Sequence, residues 1–474
     1  MGGILANTAW RALADVGSKL ASIALVVVMA RELGDAGFGV FTFAMGYVTI
    51  FTALSRFGQD AVLVREVARN RETLPSFYAN TLALKLVLAL PVAALGLATL
   101  ALVGADRETV AVAAILMAAA LIEAVVATPL AVYQAYERLK LVPAVLVTQR
   151  FATAAVGIAI LLAGGGVIAV AVVYLAGTLV ALALAIGLQL ARVARPSFLV
   201  EPSRWRSLLG AAAPLGLAGI FAVVLFRVDA VILAAFESDE VVGDYGAAYR
   251  LFEATLFLAW AVGAAVYPVF SRLDDPEDLR STLERSLALA LAFATPFAAG
   301  AAVAGGAAME TAFGPDYRDG VTALRLLAPA ILLFPAGYVT GLLLVARRRQ
   351  RAVALTYLVL AVANLALNVA LIPAFSLDAA ALVTSLSELA LALVLLVVAA
   401  EMLDGLDWGR IGLAPLVAGA AGAVAMVPFR DELVPAAVVG GTVYTLALVL
   451  VERIAFPRDA RAVWSELRLR LGRA

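Results

Sequence analysis

The sequence predicts an all-α protein that crosses a membrane many times. Three observations point there. Of 474 residues, 64% are hydrophobic and only 15% charged, with a mean hydropathy of +1.00; a water-soluble fold of this length needs more polar surface. Apolar runs long enough to span a bilayer recur about fourteen times. Basic residues collect in alternate connections between those runs, the asymmetry expected of a polytopic chain.

The first span, near 8–30, carries Arg11, Asp15 and Lys19 at i, i+4 and i+8, on one stripe of a helix. Lys19 then lies about 12 Å deeper than Arg11. A charge at that depth costs at least ~2.5 kcal/mol in lipid, so the stripe is expected to face protein or a water-filled cavity. Further spans are expected near 39–58, 78–103, 109–133, 141–162 and 166–191. The split between the last two rests on the nearly uncharged turn Gly164-Gly165-Gly166. The second half repeats the plan near 208–235, 243–270, 284–309, 320–345, 352–373 and 378–401, and two more spans follow near 410–428 and 433–453. Pro91, Pro129, Pro214, Pro268, Pro329 and Pro335 fall inside spans, which multi-helix transporters tolerate. The charged tail 456–474 places Val463, Trp464, Leu467 and Leu471 on one face and is expected to lie as an amphipathic helix on the cytoplasmic leaflet.

Orientation follows from the basic residues. One set of connections carries 23 Lys and Arg, including Arg65, Arg69 and Arg71 and the run Arg347-Arg348-Arg349; the other carries four, Arg31, Arg107, Arg318 and Arg430. The rich side is expected to be cytoplasmic, with both termini on it. Met1 to Asn7 lacks a basic region, so no cleaved signal peptide is expected. A weak internal repeat supports two lobes. Gly39-Val40-Phe41 and Gly243-Asp244-Tyr245 each open a span after an acidic turn, 204 residues apart. The expected organisation is an N-terminal lobe of six helices (1–200), a C-terminal lobe of six (201–405), two additional helices (406–455) and the tail (456–474). Two lobes related by an axis along the membrane normal enclose a central cavity.

Eight Lys and Arg lie within spans: Arg11, Lys19, Arg56, Lys85, Arg150, Arg227, Arg250 and Arg325. Five acids accompany them: Asp15, Glu123, Asp229, Glu253 and Glu388. The excess of positive charge suits an anionic ligand. Arg11, Arg56, Lys85 and Arg325 stand nearer span ends and are expected to snorkel to the interface. Arg250 and Glu253, at i and i+3, can neutralise each other; Arg227 and Asp229, two apart, point to different faces.

The words Arg31-Glu32-Leu33-Gly34-Asp35-Ala36-Gly37-Phe38-Gly39-Val40-Phe41 and Phe57-Gly58-Gln59-Asp60-Ala61-Val62-Leu63-Val64-Arg65-Glu66 resemble the opening of the polysaccharide-transport (Wzx-like) flippases. Those belong to the superfamily that also holds the multidrug and toxin extrusion (MATE) exporters. Tyr249-Arg250-Leu251, Tyr267-Pro268-Val269-Phe270-Ser271 and Phe313-Gly314-Pro315-Asp316-Tyr317 continue the resemblance, which covers roughly 5–400. The lipid II flippase branch opens differently. The resemblance implies a MATE-like fold and an alternating-access transporter that carries a polyprenyl-pyrophosphate-linked oligosaccharide from the cytoplasmic to the outer leaflet of the cell membrane. Lys19, Arg150, Arg227 and Arg250 are then the candidates for holding pyrophosphate or sugar. Asp15, Glu123, Asp229 and Glu253, with Glu388, are candidates for coupling to protons or sodium. Coupling by membrane potential alone and contact with a polysaccharide polymerase stay open.

Other classes fit less well. A drug or metabolite antiporter of the same fold favours an acidic or aromatic cavity. A membrane glycosyltransferase or polysaccharide ligase usually carries a large outer loop or a clustered acidic or His site. Here the longest outer loop is about ten residues, and His and Cys are both absent. Gly164-Gly165-Gly166 lacks the Lys-Ser/Thr of a phosphate loop. Nothing in the chain calls for a cofactor, a metal or nucleic acid.

Overall fold

The computed structural model describes residues 2–102, 104–194 and 199–456, without the side chains of 2–16 and 215. The side chains of Arg11 and Asp15, and the tail helix from residue 457 onward, lie outside the described residues. Every regular element among the described residues is helical.

Among the described residues, twelve helices are long and apolar enough to cross a membrane. Two of them are double. The helix α1 (Gly2–Arg56) has 55 residues, about 80 Å at helical rise against a hydrocarbon core of about 30 Å. It breaks at Gly34, whose φ of 69° and ψ of −178° only glycine adopts readily. Asp35 restarts the helix, its Oδ1 accepting the Ala36 N–H at 2.7 Å. Counting both halves of each double helix, the chain makes about fourteen crossings, at the positions expected from its apolar runs.

The short helix α2 (Gln59–Arg69) is no span. It follows the left-handed pair Phe57-Gly58, and it buries Gln59, Val62, Leu63 and Val67 along one stripe. Then come α3 (Leu74–Leu102), α4 (Arg107–Ala135), α5 (Leu141–Leu162), α6 (Val167–Arg192), α7 (Trp205–Phe236) and α8 (Asp239–Arg272). Asp106 caps α4 by accepting from the backbone of Glu108 and Thr109. A bond from the Thr109 hydroxyl, together with those backbone bonds, holds the Asp106 carboxyl below its ordinary pKa. Gly164, at φ 84°, turns the chain between α5 and α6. The second half holds α9 (Pro276–Phe313), α10 (Gly320–Ala346), α11 (Gln350–Met402), α12 (Trp408–Met426) and α13 (Leu433–Ala455). The double helix α11 breaks at Ser376 (φ 52°, ψ −138°). All six expected prolines sit inside helices that run on through them.

The chain divides into two compact units, Met1–Gly246 and Ala247–Ala474, with the division inside α8. In the first, α1 packs on α3, α4, α5 and α7, and α4 packs on α6. The first turns of α8 cross α1 there at very short range. A Cβ on Gly39 would stand 1.8 Å from the Asp239 carbonyl oxygen, and one on Gly243 would stand 2.0 Å from that of Asp35. These contacts are reciprocal at the 204-residue offset of the repeat: 35 with 239, 39 with 243.

In the second unit α10 packs between α9 and α11, around a core that includes Leu283, Leu287, Val339, Leu343, Leu391 and Leu395. The pair α12 and α13 packs on α9. A Cβ on Gly419 would meet the Thr295 side chain at 2.1 Å, and the Tyr444 hydroxyl donates to the Ala292 carbonyl at 2.5 Å. At the end of α9 nearest α12, Glu284 is 3% exposed. It accepts from Arg280 Nε and from the Asp407 N–H, each at 2.9 Å, and Arg410 stands 3.8 Å away.

Candidate functional site

The candidate cations occupy different environments. Lys19 is half-buried on the first half of α1, and Arg150 is exposed on α5. Those two helices pack together, a Cβ on Gly17 meeting the Phe151 ring at 3.3 Å and one on Gly157 meeting Leu25 at 2.7 Å, so one helix pair bears both charges. Arg227 is half-buried on α7. Its carbonyl faces Gly46 of α1, 3.6 Å from where a Cβ would stand. Two residues on, Asp229 is 1% exposed. It accepts from the Tyr245 hydroxyl at 2.5 Å and from the Ala230 N–H at 2.8 Å. Arg227 and Asp229 therefore lie in different surroundings, as their spacing requires.

In the second unit, Arg250 and Glu253 form an ion pair at 2.7 Å with side chains 21% and 20% exposed. The cation is neutralised while that pair holds. Glu123 is exposed on α4, and Arg56 and Arg325 are exposed as well.

Lys85 corrects the sequence reading. It does not snorkel; it is 1% exposed. It lies 11 residues into α3, about 16 Å from that end, too deep for its side chain to reach the interface. Its ammonium donates to Asp60 at 2.5 Å, the Ala124 carbonyl at 2.8 Å and Thr128 Oγ1 at 3.0 Å. Three donors meet three acceptors. Asp60 belongs to α2, so the pair ties the break at Phe57-Gly58 to α3 and α4.

A polar cluster lies inside α11. Asn364 and Asn368, 1% and 0% exposed, occupy one face of its first half. Ser387 and Glu388, 7% and 3% exposed, lie on its second half. Asn364 Nδ2 donates to Ser387 Oγ at 2.9 Å, and Asn368 Nδ2 donates to Asn364 Oδ1 at 2.9 Å. Asn368 Oδ1 and Glu388 Oε2 have no hydrogen-bond partner among the described residues. Asn364, Asn368 and Ser387 thus make one hydrogen-bonded chain, and Glu388, the next residue along, is a buried carboxylate; amide, hydroxyl and carboxylate oxygens are the ligand types that a proton or a hard cation takes. The acid is visible in the sequence. The two asparagines carry no charge to mark them, although amides at i and i+4 in the apolar run 352–373 are themselves a signal. No group of three or more His, Cys, Asp and Glu able to hold a metal occurs among the described residues.

Comparison with known proteins adds to this geometry. The model of a family described as polysaccharide biosynthesis protein matches residues 4–274. Over 237 residues the chain is 27% identical to the probable low-salt glycan biosynthesis flippase Agl15 of Haloferax volcanii. That alignment spans 49% of each protein, about half the length of the relative. The structure is similar to that of the lipid II flippase MurJ in an inward closed conformation, with a TM-score of 0.78 at 13% identity over 94% of this chain and 99% of that one. An inward-facing multidrug resistance MATE transporter of the MOP superfamily gives 0.66 at 16% identity over 82% and 94%. A MOP superfamily transporter from Pyrococcus furiosus, described with a binding pocket of reverse polarity, gives 0.60 at 16% over 83% and 94%. At such identities the likeness is one of fold: that of an all-helical, multi-pass membrane protein.

Proposed function

The chain belongs to the polysaccharide biosynthesis protein family, and from that premise we propose that it is an alternating-access flippase for a polyprenyl-pyrophosphate-linked oligosaccharide. The carrier-linked sugar would move from the cytoplasmic to the outer leaflet of the cell membrane, with both termini cytoplasmic. The observation that carries this reading is the charge balance inside the spans, eight Lys and Arg against five acids. We place the pyrophosphate at Lys19, Arg150 and Arg227, cations that the sequence sets within spans. Arg250 joins them only when its pair opens. A cation in a low-dielectric cavity attracts phosphate strongly, and Arg meets it with two parallel bonds. The functional lobes in this proposal are 1–200 and 201–405, with 406–455 as accessory helices.

Coupling is assigned first to Glu388 with Asn364 and Asn368, and second to Asp229 with Tyr245. Asp15, Glu123 and Glu253 stay on the list as acids of the same spans. An oligosaccharide polymerase would take the product on the outer side.

The test is made in the native host. The gene is deleted, and membrane lipids and surface polysaccharide are assayed together. Accumulated polyprenyl-pyrophosphate oligosaccharide with lost surface polymer is expected, restored by the wild-type gene. Lys19→Ala and Arg227→Ala are expected to reach the membrane at normal levels without restoring polymer. Unchanged carrier pools with altered drug tolerance would replace the flippase by an antiporter.

A further inference from the structure

A cavity of about 190 Å³ lies between α3, α4 and α6 of the first unit. Its wall is apolar except for Tyr78 and Gln189. From α6 it takes Leu182, Ile186, Gln189 and Leu190, at i, i+4, i+7 and i+8 and so along one face. Ile186 and Leu190 are 40% and 49% exposed. Apolar side chains exposed on a spanning helix face hydrocarbon, so the cavity opens toward lipid.

Gln189 is out of place in that wall. It is 1% exposed, and neither Nε2 nor Oε1 makes a hydrogen bond of good geometry with the described residues. Its amide offers two donors and two acceptor lone pairs, and its polar neighbour Tyr78 can meet only part of them. Three residues beyond Gln189 on the same face, about 4.5 Å along the axis, Arg192 ends α6 and is exposed. Along α6 the order is therefore cation, amide, aliphatic stripe.

We propose that this cavity binds one glycerophospholipid of the leaflet that meets the Arg-rich side. Its phosphate lies against Arg192. An oxygen of the glycerol linkage accepts from Gln189 Nε2. One chain runs down Leu190, Ile186 and Leu182. Naming that leaflet cytoplasmic rests on the orientation proposed above; the site itself does not, and its test requires no transport.

The full chain is purified, reconstituted in bilayer discs of phosphatidylglycerol and phosphatidylethanolamine, and released for native mass spectrometry. Wild type is expected to retain one phospholipid through activation that strips the rest. Ile186→Trp fills the mouth and is expected to abolish retention. Gln189→Leu and Arg192→Gln are expected to lower it about tenfold. Thermal unfolding in lipid-free detergent separates binding from folding: Gln189→Leu is expected to unfold no lower than wild type there, yet to lose the stabilisation that added phosphatidylglycerol confers on wild type. Equal retention in wild type and Gln189→Leu would overturn the proposal. So would preferential retention of added polyprenyl phosphate, which has no glycerol linkage.

Discussion

Lys85 behaves as a buried ion-pair partner whose loss leaves another charge stranded. Truncation to Ala leaves the Ala124 carbonyl and Thr128 Oγ1 without their donor and Asp60, 26% exposed, without its cation. Removing one member of such a pair costs about 3–5 kcal/mol, whereas replacing both by neutral groups of similar volume is often tolerated. Lys85→Ala and Asp60→Asn are therefore each expected to lower the unfolding temperature in detergent strongly. Lys85→Met combined with Asp60→Asn should recover much of that loss. A double variant as unstable as the sum of the singles would show that the two residues do not act as a pair. Glu388 poses a different question, since its Oε2 has no hydrogen-bond partner among the described residues. Glu388→Gln is expected to fold normally and to move carrier-linked oligosaccharide in proteoliposomes at a rate indifferent to an imposed proton or sodium gradient. An unaltered gradient dependence would exclude Glu388 from coupling.

At the scale of elements, the breaks in the two double helices are held by backbone conformation. Gly34 and Ser376 both have φ in the positive region, where a side chain is strained by roughly 1–3 kcal/mol. Gly34→Ala is expected to destabilise the protein by about that amount, and Ser376→Gly to raise its unfolding temperature. The opposite signs at two breaks of positive φ make the comparison internal. The crossing of α1 and α8 is a second element-scale feature. A Cβ on either Gly39 or Gly243 must push a backbone carbonyl away by more than 1 Å. Because the chain has no Cys, Gly39→Cys with Gly243→Cys can be followed by labelling without background. Each Cys alone is expected to weaken the crossing and gain reactivity toward a membrane-impermeant maleimide. Reactivity no higher than at a buried control position would mean that the crossing absorbs the side chain.

The whole molecule adds α12 and α13 to the repeated plan, and Glu284 is the polar bolt that fastens them. Glu284→Ala removes the acceptor of Arg280 and of the Asp407 N–H. It is expected to leave α9 folded while exposing the 403–407 connection to protease, read by limited proteolysis of the purified protein. A cleavage rate equal to that of wild type would show that apolar packing at Thr295 and Gly419 suffices.

Residue pattern alone determined the fold class, because twenty apolar residues in a row have one stable solution in a bilayer and the basic residues mark its sides. The breaks at Gly34 and near Ser376 were legible as the short connections between the spans 8–30 and 39–58 and between 352–373 and 378–401, the first marked by Arg31-Glu32-Leu33-Gly34-Asp35. The repeat was legible at Gly39 and Gly243, though not the fact that the two glycines lie against each other's preceding turn. Partners were not legible. Lys85 reads as a charge near a span end, and only the fold brings Asp60, Ala124 and Thr128 around it. Asn364 and Asn368 read as scattered amides until the two halves of α11 set them beside Ser387. Spacing along one helix constrains which residues share a face, but the partner across the interface comes from another segment, often dozens of residues away. That choice belongs to packing, so the tertiary structure decided that Lys85 is paired with Asp60 and Arg250 with Glu253.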